Sequence, residues 1–233
     1  MEMRVLCLLL IAGSMAREDM DRNVFLFPRS SVADYVVLTP MVTGPLDKLT
    51  VCLRSYTEGG IYALLTVGTP ESRICKAFAI FYNPTTKADI LEWIHMCVTW
   101  DSDTGVLQLW VNGKVSPRRV VQKGFSIDLQ DGISLGQMQI ISEFGWYRPI
   151  SHGNEWDHYT SFQGEISDVH MWNEVLSPET IRKVLLNNRD INGNVISWRS
   201  LNYTIKGDVT VQPKLQCRYD SESGNSHYQC SMD

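Results

Sequence analysis

The chain has 233 residues, a formal net charge of −5 and 44% apolar or aromatic residues, including seven tryptophans. That length suits one large β-domain or two small ones, with ample material for a core. The acidic balance carries no long run of one sign, which argues against a nucleic-acid partner held through phosphates.

The N-terminus reads as a secretory leader. Arg4 precedes an apolar run over residues 5–12, and Ser14-Met15-Ala16 supplies small residues for cleavage, so residues 1–16 are expected to leave. The run is too short to span a bilayer, and no later stretch is long and apolar enough, so a secreted protein without a membrane span is expected. Cys7 departs with the leader. Cys52, Cys75, Cys97, Cys217 and Cys230 remain, an odd number in a compartment that favours disulfides.

Beyond the leader most segments predict strands: residues 24–27, 35–38, 49–56, 62–67, 78–82, 93–100, 106–111, 133–139, 166–172 and 209–211. They are short, aromatic and β-branched, and turn residues bound them. Asp101-Ser102-Asp103-Thr104-Gly105 reads as a hairpin loop, and Asn112-Gly113 as a tight turn. Arg118, Arg119 and Lys123 lie close in sequence, and fit a solvated strand edge better than a polyanion site. One helix is expected, with Ser177 as cap, Pro178 at its first position, Ile181, Val184 and Leu185 on its apolar face, and Asn187-Asn188 at its end. Many strands with one helix predict an all-β, two-sheet sandwich carrying a single surface helix.

The octet His95-Met96-Cys97-Val98-Thr99-Trp100-Asp101-Ser102 is the most informative stretch. Alternation sends His95, Cys97 and Thr99 one way and Met96, Val98 and Trp100 the other. It resembles the pentraxin signature, His-x-Cys-x-Ser/Thr-Trp-x-Ser/Thr, at every specified position. The resemblance spans roughly residues 24–215 and includes Val24-Phe25-Leu26-Phe27-Pro28, Leu135-Gly136-Gln137, Val169-His170-Met171-Trp172 and Leu176-Ser177-Pro178-Glu179. It implies a flattened jelly roll of the concanavalin A/laminin-G type with one long helix on a face, over a single domain 17–215. A polar tail with two cysteines, 216–233, extends past the family's usual end. The resemblance also pairs Cys52 with Cys97. Cys217 and Cys230 either close a small terminal loop or link subunits, and Cys75 has no obvious partner. Asn202-Tyr203-Thr204 is a glycosylation sequon.

Pentraxins hold calcium on one face and use it to bind phosphocholine, phosphoethanolamine or acidic sugars. One ligand group there follows Leu-Gly-Gln as Glu-Gln-Asp, whereas this chain reads Met138-Gln139-Ile140. A second group, an acid followed three residues later by Gln, becomes Asp157 and Thr160. Gln139 and Asp157 are thus the candidate metal positions. A third, an Asp-Asn pair, has no counterpart between Cys52 and Cys97, an interval shorter than usual by about one hairpin.

An inserted loop over 141–155 offers Glu143, Phe144, Trp146, Tyr147, Arg148, His152 and Glu155. It suits a rebuilt calcium site with Glu143, Glu155 and Asp157, an aromatic platform for a sugar or choline, or a plain surface cluster. A zinc site from His152, Asp157 and His158 lacks a fourth ligand placed by spacing. Glu155 and Asp157 lack the third acid of one jelly-roll hydrolase pattern, and no nucleophile-base pair is local, so catalysis is not expected. The resemblance, with the leader, therefore implies a secreted, non-catalytic pattern-recognition protein of innate immunity. It would form a homopentamer by resemblance, with a laminin-G-like interaction module as the alternative.

Overall fold

The computed structural model describes residues 17–57, 62–67, 79–82, 92–130, 132–137, 161–220 and 227–232, with backbone alone at 81–82, 216–220 and 227–232. Two antiparallel sheets face one another. The larger comprises β1 (Asn23–Phe27), β3 (Lys48–Tyr56), β6 (Ile94–Asp101), β7 (Val106–Val111), β8 (Lys114–Val115), β9 (Arg119–Val120), β11 (Gly164–Trp172) and β13 (Thr210–Pro213). Its order is β13-β1-β11-β3-β6-β7-β8, with β9 also on β7. The smaller sheet contains β2 (Tyr35–Leu38), β4 (Tyr62–Val67), β5 (Ala79–Tyr82), β10 (Ile133–Leu135) and β12 (Tyr203–Lys206), ordered β12-β2-β10-β4-β5. A separate ribbon pairs β14 (Leu215–Asp220) with β15 (His227–Met232).

Alternation decides which side chains meet between the sheets. Met96, Val98 and Trp100 of β6 join Phe25 and Phe27 of β1, Val51 and Leu53 of β3, and Leu64 and Leu65 of β4 in one core. Phe25 stands edge-on to Trp198 at 5.3 Å and to Tyr203 at 4.9 Å, and Phe27 edge-on to Phe162 at 5.2 Å. Burying each such ring is worth about 2–3 kcal/mol, so this layer dominates the fold's stability. The sandwich therefore closes in spite of the short Cys52–Cys97 interval, which contributes β4 and β5 to the smaller sheet.

The expected turns are present. Gly105 takes φ +70° and its N–H returns to the Asp101 carbonyl at 2.7 Å, closing the β6–β7 hairpin. Asn112 (φ +47°) and Gly113 (φ +79°) give the left-handed pair that a two-residue hairpin requires between β7 and β8.

The helix, α1 (Pro178–Leu185), is eight residues, shorter than the long helix the resemblance implies. The Ser177 hydroxyl accepts from the Thr180 N–H at 3.2 Å, and Asn187 ends the segment at φ +55°. Ile181 is buried beneath it, with Val184 packed alongside. No helix among the described residues is long and apolar enough to cross a membrane.

Candidate functional site

The candidate metal residues Gln139 and Asp157, the replacing residues Met138, Ile140 and Thr160, and the whole 141–155 loop lie outside the described residues. The residues flanking them do not, and they meet. β10 stops at Leu135 rather than continuing to 139, because Gly136 turns the chain at φ +83° and passes so close to Phe27 that a Cβ there would collide with the ring. The Gly136 carbonyl then accepts from the Phe162 N–H at 2.9 Å. Gln137, fully buried, donates from Nε2 to the Ser161 hydroxyl at 2.9 Å and to the Ser31 carbonyl, while its own carbonyl accepts from Thr66 Oγ1 at 2.9 Å. Ser161 is also tied through its carbonyl to the Ser30 hydroxyl at 3.0 Å.

Gln137 and Ser161, 24 positions apart, thus form a closed stem. Residues 138–160, which lie between them in sequence, are outside the described residues. The positions that the resemblance matches to the family's two ligand groups, 138–140 and 157–160, adjoin this pair in sequence.

Donor chemistry limits what those positions can hold. Calcium takes six to eight hard oxygens. The Met138 side chain offers a soft thioether and that of Ile140 no donor, so Gln139 and Asp157 are the candidates kept at the family's positions, while Glu143 and Glu155 of the inserted loop add carboxylates nearby in sequence. The Gln137 amide is already committed within the stem. At these positions the side chains are poorer in hard oxygens than the family's Glu-Gln-Asp and acid-Gln groups. Among the described residues one further group brings metal-ligating atoms together, Cys52, His95 and Cys97, and its two sulfurs are bonded to each other.

That disulfide joins directly opposed residues of β3 and β6, with Cα atoms 4.1 Å apart, as the resemblance implied. Both cysteines are fully buried beneath Leu176 and Ile181, so the signature octet supplies core residues on one face and the helix platform on the other. Beside it, burial holds the His95 imidazole neutral, with pKa lowered to about 3, and nearby Arg54 adds to the effect. Its Nδ1 has no hydrogen-bond partner among the described residues. His170 is likewise lowered to about 4 by burial, its Nδ1 accepting from the Gly193 and Trp198 N–H groups.

Sequence reasoning missed two charged clusters on this helix-bearing face. Asp168 sits in a bulge of β11 at φ +54° and pairs with Arg54, Nε at 3.1 Å, and with Lys214. Arg54 also donates to the Leu185 carbonyl, tying the end of α1 to the sheet. Asp21 receives Arg199 Nε at 2.7 Å and also pairs with Arg189. Burial alone would raise the Asp21 carboxyl, but the hydrogen bonds from the two arginines outweigh it and hold it low. Arg54 and Asp168 are charged positions inside long, largely buried strands, which was the available signal.

Asn202 is half-buried just before β12, its carbonyl accepting from the Thr39 N–H at 2.9 Å, and Thr204 of the sequon is exposed.

Comparison with known proteins agrees with the architecture. The Pentaxin family matches residues 23–73 and 79–213. A C-reactive protein from Xenopus laevis is 44% identical over 94% of this chain and 94% of its own length. A serum amyloid P-component from Cavia porcellus is 33% identical over 86% of this chain and 91% of its own length. Among solved structures, a native heptameric SAP-like pentraxin from Limulus polyphemus superposes with a TM-score of 0.66 at 19% identity, covering 84% of this chain and 96% of that one. At that identity the likeness speaks for the fold alone. The signature octet, the disulfide from its Cys97 to Cys52, the two-sheet sandwich and the family match agree: the chain belongs to the pentraxin family.

Proposed function

We propose that this pentraxin is a secreted, non-catalytic recognition protein of innate immunity that binds phosphocholine-like or carbohydrate ligands without depending on tightly bound calcium. The observation that supports the reading is the Gln137–Ser161 hydrogen bond, which joins the described residues next in sequence to segments 138–140 and 157–160. In the family these segments supply calcium ligands; here Met138, Ile140 and Thr160 remove three of the side chains that would do so. Recognition then falls to the inserted loop, where Phe144, Trp146 and Tyr147 offer ring faces for a sugar or quaternary ammonium group, with Glu143 and Glu155 as polar partners. Gln139 and Asp157 serve as hydrogen-bonding groups and as weak oxygen donors to a cation.

The leader over 1–16 and the buried Cys52–Cys97 bond support passage through an oxidising compartment. Asn202 is the proposed glycan acceptor on that route. Homo-oligomeric assembly is part of the reading, because a solved relative is heptameric and because multiplying a weak site raises avidity without new contacts.

The test is retention of the secreted protein on phosphocholine resin, with calcium and then with a chelator. Retention in both conditions, or retention on a carbohydrate resin that survives chelation, is the expected result. Binding that vanishes on chelation would overturn the calcium-independent reading.

A further inference from the structure

We propose that Cys217 and Cys230 form a second intrachain disulfide, which staples the C-terminal ribbon into a closed arm. β14 and β15 run antiparallel through six consecutive pairs from Leu215↔Met232 to Asp220↔His227 without a register shift, and Cys217 stands directly opposite Cys230. Directly opposed positions of an antiparallel pair share a face, with Cα atoms about 4.5 or 5.5 Å apart. Both spacings lie within the range a disulfide spans. The same chain supplies a precedent, since Cys52 and Cys97 are directly opposed across β3 and β6 and are bonded.

Two further observations point the same way. The ribbon is a sheet of its own, and the family match ends at residue 213, before it begins. A two-stranded ribbon outside a larger sheet is marginal in water, so a covalent cross-link changes whether it persists. Its root is fixed: the Lys214 N–H donates to the Arg22 carbonyl at 2.8 Å, and Nζ pairs with Asp168 and stands 4.9 Å from the centre of the Trp93 ring. An arm anchored at one end and cross-linked near its root is a defined protrusion rather than a loose tail.

The oxidation is an exchange with an oxidised dithiol, the disulfide of a protein oxidoreductase of the secretory route. One thiolate of the pair attacks a donor sulfur, forming a mixed disulfide and releasing one donor thiolate. The second thiolate attacks the chain's sulfur in that mixed disulfide, releasing the other. Two electrons pass to the donor, which leaves as the dithiol with the two protons. With Cys52–Cys97 bonded and the leader removed, Cys75 is then the odd cysteine.

The proposal rests on the secreted reading, and the experiment separates the two. Secreted protein is alkylated without reduction and digested with trypsin, which cuts after Lys214 and Arg218. The expected product is peptide 215–218 linked to peptide 219–233, from a chain that runs as a monomer on a denaturing, non-reducing gel. Alkylated Cys217 and Cys230, either one joined to Cys75, or a covalent dimer through these residues would overturn the staple. The Cys52–Cys97 bond is the internal control: intact beside free Cys217 and Cys230, it removes the staple and leaves the secreted reading standing. A Cys230→Ser variant is expected to add one alkylatable thiol, at Cys217, and no gain would equally overturn the proposal.

Discussion

Replacing both Cys52 and Cys97 by Ala tests how much of this sandwich depends on its covalent tether. The bond closes a loop of sequence separation 45 that includes β4 and β5. Chain-entropy reasoning for such a loop gives about 4 kcal/mol of destabilisation. Both sulfurs are fully buried beneath Leu176 and Ile181, so truncation also loses packing, adding roughly 1–2 kcal/mol. A total of about 5–6 kcal/mol rivals the net stability of many domains and corresponds to a fall of roughly 10–20 °C in Tm. Calorimetric melting of the wild-type and double-Ala proteins measures it. The denaturant slope separates the two contributions: removing a cross-link expands the unfolded chain and raises m. Ile181→Ala, which only thins the packing over the disulfide, is expected to cost about 2–4 kcal/mol with m unchanged. A Tm drop under about 3 °C in the double variant, with m unchanged, would refute the tether's role.

The described geometry predicts three other outcomes. Gln137→Ala removes the bonds to Ser161 and Ser31 from a fully buried position and is expected to cost about 2 kcal/mol by urea titration, with weaker retention on whichever resin holds the wild type. Gly136→Ala must place a methyl group against Phe27 at φ +83°, so a loss above about 2 kcal/mol is expected, and a neutral result would contradict the packing described. His95 and His170 have pKa values lowered by burial to about 3 and about 4, so they stay neutral in the fold while the unfolded chain takes up protons below about 6.5. Their contribution to stability is complete above pH 6.5 and is lost as pH falls toward 4, with a slope of about 1.4 kcal/mol per pH unit for each histidine. His95→Leu is expected to flatten that slope by about half, read from denaturation midpoints at a series of pH values.

The central strands were legible because burial writes itself into alternation. Met96, Val98 and Trp100 alternate with Cys97 and Thr99 so strictly that both faces of β6 follow from the octet alone. The helix was legible from local chemistry at its ends, Ser177 and Pro178 at one and Asn187 at the other. The edges were not. β8 and β9 are two exposed residues each, so no buried face imposes a pattern on Lys114, Val115, Arg119 or Val120, and only the basic stretch around Arg119 reads as a solvated strand edge. The ribbon of β14 and β15 reads as a polar tail, although Leu215, Cys217 and Tyr219 alternate with polar residues on one strand and Tyr228, Cys230 and Met232 on the other, which was the available signal. Beside the candidate site, the Gln137–Ser161 bond joins two segments with no periodicity in common. Such a contact is a product of the folded topology, and no local pattern encodes it.

The central proposal is that the ligand face of this pentraxin sandwich no longer carries the family's calcium chemistry. Titrating calcium into the secreted, chelator-stripped protein by isothermal calorimetry tests that directly. No heat of micromolar binding, or only weak millimolar binding to one site, is the expected result. Two sites filling at micromolar calcium would contradict it, and would mean that the 138–160 segment supplies oxygens in place of those lost at Met138, Ile140 and Thr160.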